Sequence, residues 1–487
     1  MIRKIIFHPY CFFAVISCLF LWPISLQIFT VKNDALTFYY PVRALISDAL
    51  HSGNLPLWTP YINMGYPIHA DMQSGAWNPV VWFIAWLTNY TLAGFHLELL
   101  LYFTLAGIGF YQLGRSLGWS MYPALIVATC YQFSGFMLDN VQFFVCLPAA
   151  AWLPFLMRNF LQLLKQYQLK DAIACAVFLS LILTGSYPAL LIIIGYFLAT
   201  VLIWHVIQTQ QKIKALTSLL LPLGISILAF CLLSLPAIIS FVNHLPFIDR
   251  GQTQSLSFVQ QNSLVPASLI SLISPFSSTA NAAWLNTNPL MRSSYLGFIP
   301  LCFTIFGLWK YRLYKQPVIQ LFTFSAGMFW LLSFGSHFFV HGWAYYILPL
   351  ANTFRHPALY RLISIFSMLT IAGYALQNYQ TNPLANAWKK YTIRVCITVV
   401  LLSVILCLLH LDEFKPFPDL KHGVSGVILH SKFIWRYMLQ IILLLPLIWL
   451  VGYVSAKPHF FKTLLFICLA ELFIFTQLNM PVTVIGA

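Results

Sequence analysis

The chain has 487 residues, 60% of them hydrophobic and only 8% charged, with a mean hydropathy of +0.80. A soluble globular domain carries about 25% charged residues, so this composition excludes one and makes the bilayer the solvent. The net charge of +15 is scattered over short loops rather than gathered into a patch, which points to membrane topology and away from nucleic acid.

A backbone inside a bilayer must satisfy its own hydrogen bonds, and the apolar runs here are about 20 residues long rather than alternating short strands. The expected fold class is therefore all-α, a polytopic transmembrane helical bundle and not a barrel. The first run, behind Arg3 and Lys4 and ending near Phe29, exceeds a signal h-region and lacks an A-x-A ending before Lys32; it reads as a retained anchor. With that anchor at 5–29, further spans are expected over 92–113, 121–138, 144–163, 171–187, 188–207, 216–241, 294–309, 317–334, 358–378, 393–410, 433–455 and 463–480, about thirteen in all. A single transmembrane domain, 1–487, is the simplest division. The ten cysteines all lie in apolar segments, where they serve packing rather than a metal motif or a disulfide framework.

Alternate loops differ sharply in charge. One set holds Arg3, Lys4, Arg115, Lys165, Lys170, Lys212, Lys214, Lys310, Arg312, Lys315, Lys389, Lys390, Arg394, Lys457 and Lys462 against the single acid Asp171. The other set holds ten bases, Lys32, Arg43, Arg250, Arg292, Arg355, Arg361, Lys415, Lys421, Lys432 and Arg436, against eight acids, Asp34, Asp48, Asp71, Asp139, Asp249, Asp412, Glu413 and Asp419. Basic loops stay in the cytoplasm, so the N-terminus is expected inside. Carboxylate chemistry then belongs on the extracytoplasmic face, where the longer loops 30–91, 242–293, 335–357 and 411–432 also lie.

The first extracytoplasmic loop, 30–91, is rich in turn formers and in interfacial aromatics such as Trp58, Tyr61, Tyr66 and Trp77. Within it, 41–52 reads as a short amphipathic surface helix carrying a solvated Asp48, and 79–89 is too short to span. Asp34, followed by Tyr39, Tyr40 and Pro41, has two readings that spacing leaves equal: a partly desolvated general base toward a hydroxyl, or a cap for the helix near Pro41. Asp71 is a second candidate for base, acceptor binding or, with His69, a divalent metal, although two ligands do not make a site. Asp139 is either a helix-end charge or part of a polar cluster with Gln142.

Before the tenth span, Arg355, His356 and Arg361 supply two guanidiniums and an imidazole at headgroup depth. They suit a phosphate or pyrophosphate, or else snorkel to lipid headgroups. Glu98 and Glu471 lie inside spans, where a carboxylate serves transport or pairs structurally between helices. His337 and His341 lack a third metal ligand, and no GxSxG, Walker, HExxH or GxGxxG motif in suitable context occurs.

Several of these stretches together resemble YfhO-type bacterial membrane proteins. They are Asp34 with Tyr39-Tyr40-Pro41, Gly53-Asn54-Leu55-Pro56-Leu57-Trp58, Gln73-Ser74-Gly75, Tyr131 to Met137, Tyr295-Leu296-Gly297 with Pro300, and Arg355-His356-Pro357 with Arg361. The likeness runs from about residue 30 to 378, and more weakly to Asn479-Met480-Pro481. Those proteins look like GT-C polytopic glycosyltransferases. The resemblance therefore implies a GT-C-like bundle with a helical first extracytoplasmic loop, in a bacterial cytoplasmic (inner) membrane. It implies sugar transfer from a polyprenyl-phosphate donor to a cell-envelope polymer or lipid acceptor, with Asp34 at the reaction centre.

The expected mechanism is an inverting displacement. Asp34 takes the acceptor proton or orients the hydroxyl, Arg355, His356 and Arg361 hold the departing phosphate, and Asp71, Gln73, His69 and Asp139 help hold sugar or acceptor. Tyr39 and Tyr40 stack on sugar or border the lipid groove. The competing readings are a transporter or flippase of lipid-linked sugars and a non-catalytic envelope assembly protein. The metal requirement is left open.

Overall fold

A computed structural model describes residues 8–62, 64–247, 253–414 and 430–485. The expected charges at Arg3, Lys4, Asp249, Arg250, Lys415, Asp419 and Lys421 lie outside the described residues. Within them the chain is helical, with isolated bridges at Val31–Ile485 and Thr59–Tyr66 and no strand.

The helices of ten or more residues are numbered here in chain order. They are α1 (Pro9–Phe20), α2 (Tyr40–His51), α3 (Pro79–Thr88), α4 (Leu92–Ser116), α5 (Met121–Gln132), α6 (Leu147–Gln166), α7 (Leu169–Gly185) and α8 (Pro188–Gln208). Then follow α9 (Lys212–Leu233), α10 (Leu235–His244), α11 (Phe298–Lys310), α12 (Pro317–Ser333), α13 (Arg361–Thr381), α14 (Ala385–Leu409), α15 (Phe433–Val454) and α16 (Phe460–Thr483).

Nine helical segments among the described residues are long and apolar enough to cross a membrane, and the chain is a multi-pass membrane protein. Four of the expected spans are shorter: α1, α7, α11 and α12. At 1.5 Å rise, a helix of 17 residues reaches about 25 Å. The span expected over 216–241 is two helices: the helical path breaks at Ser234 (φ −99°, ψ 3°), ahead of Pro236, which has no N–H to carry the preceding helix on and whose ring crowds its i−4 carbonyl.

Burial separates an inner set from an outer one. The apolar windows of α13 and of the segments containing α5 and α6 are 94%, 89% and 89% buried inside the protein, whereas those of α9 and α14 are 17% buried and face lipid. Without a hydrophobic drive between helices in lipid, close packing needs small residues. Gly373 on α13 provides one such contact: a Cβ there would stand 2.1 Å from the Trp119 ring.

α2 differs from a free surface helix. Its Val42, Arg43, Ile46 and Ser47 are buried, because Arg43 turns inward and meets Glu98 of α4 at 3.5 Å. Glu98 also accepts from the Tyr90 hydroxyl. Burial works to lower the Arg43 pKa, but Glu98, Tyr90 and Tyr102 together outweigh it, so the net shift is upward and the guanidinium stays charged. Asp48, on the opposite face, is exposed as expected.

Candidate active site

Asp34 is presented by a segment tied down on both sides. Val31 bridges to Ile485, Lys32 donates to the Pro481 carbonyl at 2.8 Å, and the Asn33 side chain donates to Gln142. The Asn33 carbonyl then accepts from the amides of Leu36 and Thr37, both at 2.9 Å. Asp34 thereby begins a π-helical turn, Ala35–Tyr39, that leads into α2. Its side chain makes no cap bond; it is exposed and forms no hydrogen bond or ion pair among the described residues. Of the two readings, the helix cap is thus not realised.

Facing it is the segment before α13. His356 sits at φ +79°, a left-handed conformation costly for a non-glycine residue. The strained backbone is held by an amide bond to the Gln261 carbonyl at 3.1 Å and by contact of the ring Nδ1 with Asn262 at 3.0 Å. Arg355 is held loosely, by Nη1 to Gln261 at 3.4 Å and over the Phe258 ring at 5.9 Å. Its Nε is buried without a hydrogen-bond partner among the described residues, a state that invites an acceptor.

These two walls enclose one cavity of about 180 Å³, lined by Asp34, Tyr39, Gln73, Tyr187, Arg355 and His356 together with apolar neighbours. A proton acceptor and two cationic or donor groups therefore share a hollow. Burial pushes the Tyr39 phenol pKa well up, with Cys146, Asp34 and Asp71 adding to the shift, so the hydroxyl stays protonated and can donate.

A second chamber, of about 480 Å³, adjoins the first: Gln73 lines both. Phe38, Tyr66, Asp71, His244 and Phe354 form part of its wall. Asp71 is oriented by the Tyr66 hydroxyl at 2.7 Å and by the Gln73 amide at 2.8 Å. The Asp71–Gly75 turn is seated on Arg43, since a Cβ on Gly75, at φ +72°, would meet Arg43 Nη1 at 2.4 Å.

The remaining expected residues stand elsewhere. Arg361, expected to hold phosphate, lines neither cavity and is fully buried. Its Nε and Nη1 donate to the carbonyls of Ser293 and Ala358, each at 2.9 Å, and it pairs with Asp139 at 3.5 Å over the Phe136 ring. Asp139 accepts from the Ser293 amide at 2.8 Å, so both members of the pair are spent on holding the 290–293 segment. Gln142, the expected neighbour of Asp139, instead bonds Asn33 and the Val482 carbonyl.

Tyr40 packs against Phe95 with centroids 5.8 Å apart. His69 lines neither cavity and contacts the Leu57 carbonyl through Nδ1 at 2.6 Å. It gains no third ligand with Asp71 for a cation, since no three His, Cys, Asp or Glu side chains converge among the described residues.

Several contributors were not singled out from the sequence. Tyr187 lines the Asp34 cavity from the turn before α8, and Gln261 and Asn262 set the pose of Arg355 and His356. The only sequence signal for Tyr187 was an aromatic residue directly before Pro188. Arg292 is anchored to carbonyls of Thr287, Ser278 and Ala280 at 2.6, 3.0 and 2.8 Å. Burial draws its pKa down to about 10, with Asp139 opposing the shift, so it stays charged at neutral pH.

No protein-family model matches the chain, and no similar sequence is found among curated proteins. Solved structures do match. ArnT from Cupriavidus metallidurans bound to undecaprenyl phosphate aligns over 97% of this chain and 77% of its own, with a TM-score of 0.56 at 13% identity. The apo state of the same protein aligns over 96% and 76%, with a TM-score of 0.52 at 13% identity. The likeness is one of architecture: the chain has the GT-C type of polytopic membrane fold.

Proposed function

We propose that the protein is a membrane glycosyltransferase of GT-C type. It moves a sugar from a polyprenyl-phosphate donor to a cell-envelope polymer or lipid on the extracytoplasmic face of a bacterial cytoplasmic membrane. The observation that carries this reading is the shared cavity of Asp34, Arg355 and His356. The fold's likeness to a protein solved with undecaprenyl phosphate supports a lipid-phosphate donor, and the motif resemblance to YfhO-type proteins agrees with both.

In this mechanism the Asp34 carboxylate removes the proton of the acceptor hydroxyl as its oxygen bonds to the anomeric carbon. The bond from that carbon to the phosphate oxygen breaks on the opposite face, and the lipid phosphate leaves with the electron pair, inverting the centre. Arg355 and His356 stabilise the negative charge that grows on the leaving group, where bidentate guanidinium contacts are strong. Gln73 and Asp71 hold sugar or acceptor, and Tyr39 donates to a sugar oxygen. Arg361 and Asp139 act behind the wall by fixing its backbone.

A flippase would rely on intramembrane charges, but Glu98 is engaged by Arg43 and Tyr90, and Glu471 by the Tyr295 hydroxyl. The test is transfer from a radiolabelled polyprenyl-phosphate sugar to extracted envelope lipids and polymer by purified protein. Because the Asp34 side chain forms no hydrogen bond or ion pair among the described residues, Asp34→Asn should fold normally and lose about 10²–10⁴-fold in rate. Undiminished transfer by that variant would reject Asp34 as the base, and donor translocation without glycoside formation would favour the flippase.

A further inference from the structure

The end of the bundle remote from Asp34 contains a hollow that sugar transfer does not use. α15 stops at Val454 and α16 begins at Phe460. The turn between them closes a cavity of about 500 Å³, whose wall includes Tyr122, Tyr379, Gln380, Lys457, His459 and Lys462. No carboxylate lines it.

The depth of this hollow follows from α16. That helix has 24 residues, about 36 Å at 1.5 Å per residue, and its far end lies beside Lys32 and Gln142, next to Asp34. The cavity is thus separated from the candidate active site by the thickness of a bilayer and sits at the headgroup level of the other leaflet. The first turns of α14 at this end carry further bases, Lys389 and Lys390.

Its chemistry is unbalanced. Lys457 and Lys462 are exposed at the rim and form no ion pair among the described residues. Lys457 rests over the Tyr453 ring at 4.7 Å and has no carboxylate counter-ion among the described residues. The floor, by contrast, is aromatic and faces helices whose flanks are open to lipid: α14 is 17% buried over its apolar window. Two unneutralised ammoniums above an apolar floor, at a membrane surface, are complementary to a phosphate that carries acyl chains. A soluble anion would gain nothing from the aromatic floor or the lipid-facing flank.

We propose that this hollow binds the headgroup of an anionic phospholipid. Its phosphate lies between Lys457 and Lys462, its glycerol against Tyr379 and Phe460, and its chains along α14 and α15. The site is separate from sugar transfer and does not rest on that reading.

Full-length protein, delipidated in neutral detergent, would be titrated with phosphatidylglycerol or phosphatidylcholine and followed by native mass spectrometry. Lys457→Gln/Lys462→Gln should lose phosphatidylglycerol affinity on the order of fivefold per lysine while phosphatidylcholine adducts stay unchanged. Lys310→Gln/Lys315→Gln, which removes two bases that do not line the hollow, should leave both unchanged. Equal retention by wild type and the first variant would overturn the proposal. So would an equal loss in the control pair, which would mean general surface charge. Displacement of phosphatidylglycerol by equimolar glycerol phosphate would assign the hollow to a soluble anion and overturn the lipid assignment.

Discussion

Arg361 and Asp139 meet at 3.5 Å with side chains 0% and 2% exposed, and the same two side chains bond the carbonyl and the amide of Ser293. The pair therefore fastens the 290–293 segment to α13 directly behind the wall that carries His356 and Leu359. Removing one member of a buried ion pair strands the other charge and costs about 3–5 kcal/mol. Arg361→Gln and Asp139→Asn should each lower the thermal midpoint in detergent sharply, and the double variant should lose less than the two losses together. A variant with unchanged midpoint and abolished transfer would return Arg361 to the phosphate site.

A second buried pair positions the first loop. Arg43→Met leaves Glu98 uncompensated and should destabilise by about 3–5 kcal/mol, whereas Arg43→Met/Glu98→Leu should recover much of that loss. Gly75→Ala forces an L side chain into φ +72° and against Arg43, at a cost above about 1 kcal/mol. Thermal melts of the three variants check the coupling. Limited proteolysis of the loop should then show the Asp71–Gly75 turn loosened in Gly75→Ala.

His356 combines a strained backbone with a ring in the cavity, and glycine separates the two. His356→Gly relieves the left-handed strain and should match or exceed wild-type stability, by up to about 1 kcal/mol, while transfer falls. His356→Val, β-branched at the same φ, should lose more than about 1 kcal/mol. Equal melting of the two variants would show that the backbone there relaxes freely.

His341 is buried beside Tyr360, Arg355 and His356, and its Nδ1 lacks a hydrogen-bond partner among the described residues. Burial lowers its pKa from 6.5 to about 4, so the folded protein holds it neutral. As pH falls below 6.5 the unfolded chain takes up the proton first. Stability from this group is thus complete above about pH 6.5 and is lost progressively toward pH 4. The loss is on the order of 1–3 kcal/mol. His341→Phe should flatten that part of the midpoint-against-pH curve, and a variant curve identical to wild type would place the acid sensitivity elsewhere.

Hydropathy made the bundle legible because a helix in lipid needs little besides length and apolar composition. It did not reveal the break at Ser234, where the apolar run continues unchanged through the kink. Asp34, Tyr39, Gln73, Arg355 and His356 were identifiable as polar or aromatic residues at interfacial positions, and they line one cavity. Arg361 shows where such reasoning stops. An arginine at the mouth of an apolar helix reads as functional by default, and nothing local discloses that carbonyls some 70 residues earlier will absorb its donors. Arg43 was not singled out, because nothing in its own segment discloses that Glu98 of α4 will be its buried partner.

The staples between Val31 and Ile485 and between Lys32 and Pro481 join the start of the first loop to the end of α16, and Gln142 relays a third from Asn33 to Val482. During synthesis, Asp34 emerges more than 400 residues ahead of its final anchors. Its pocket therefore reaches its final shape only after α16 has inserted, and chains that have not yet reached α16 hold the Asp34 carboxylate without a fixed aim. Insertion of α16 is in this way the step that fixes the Asp34 segment in place.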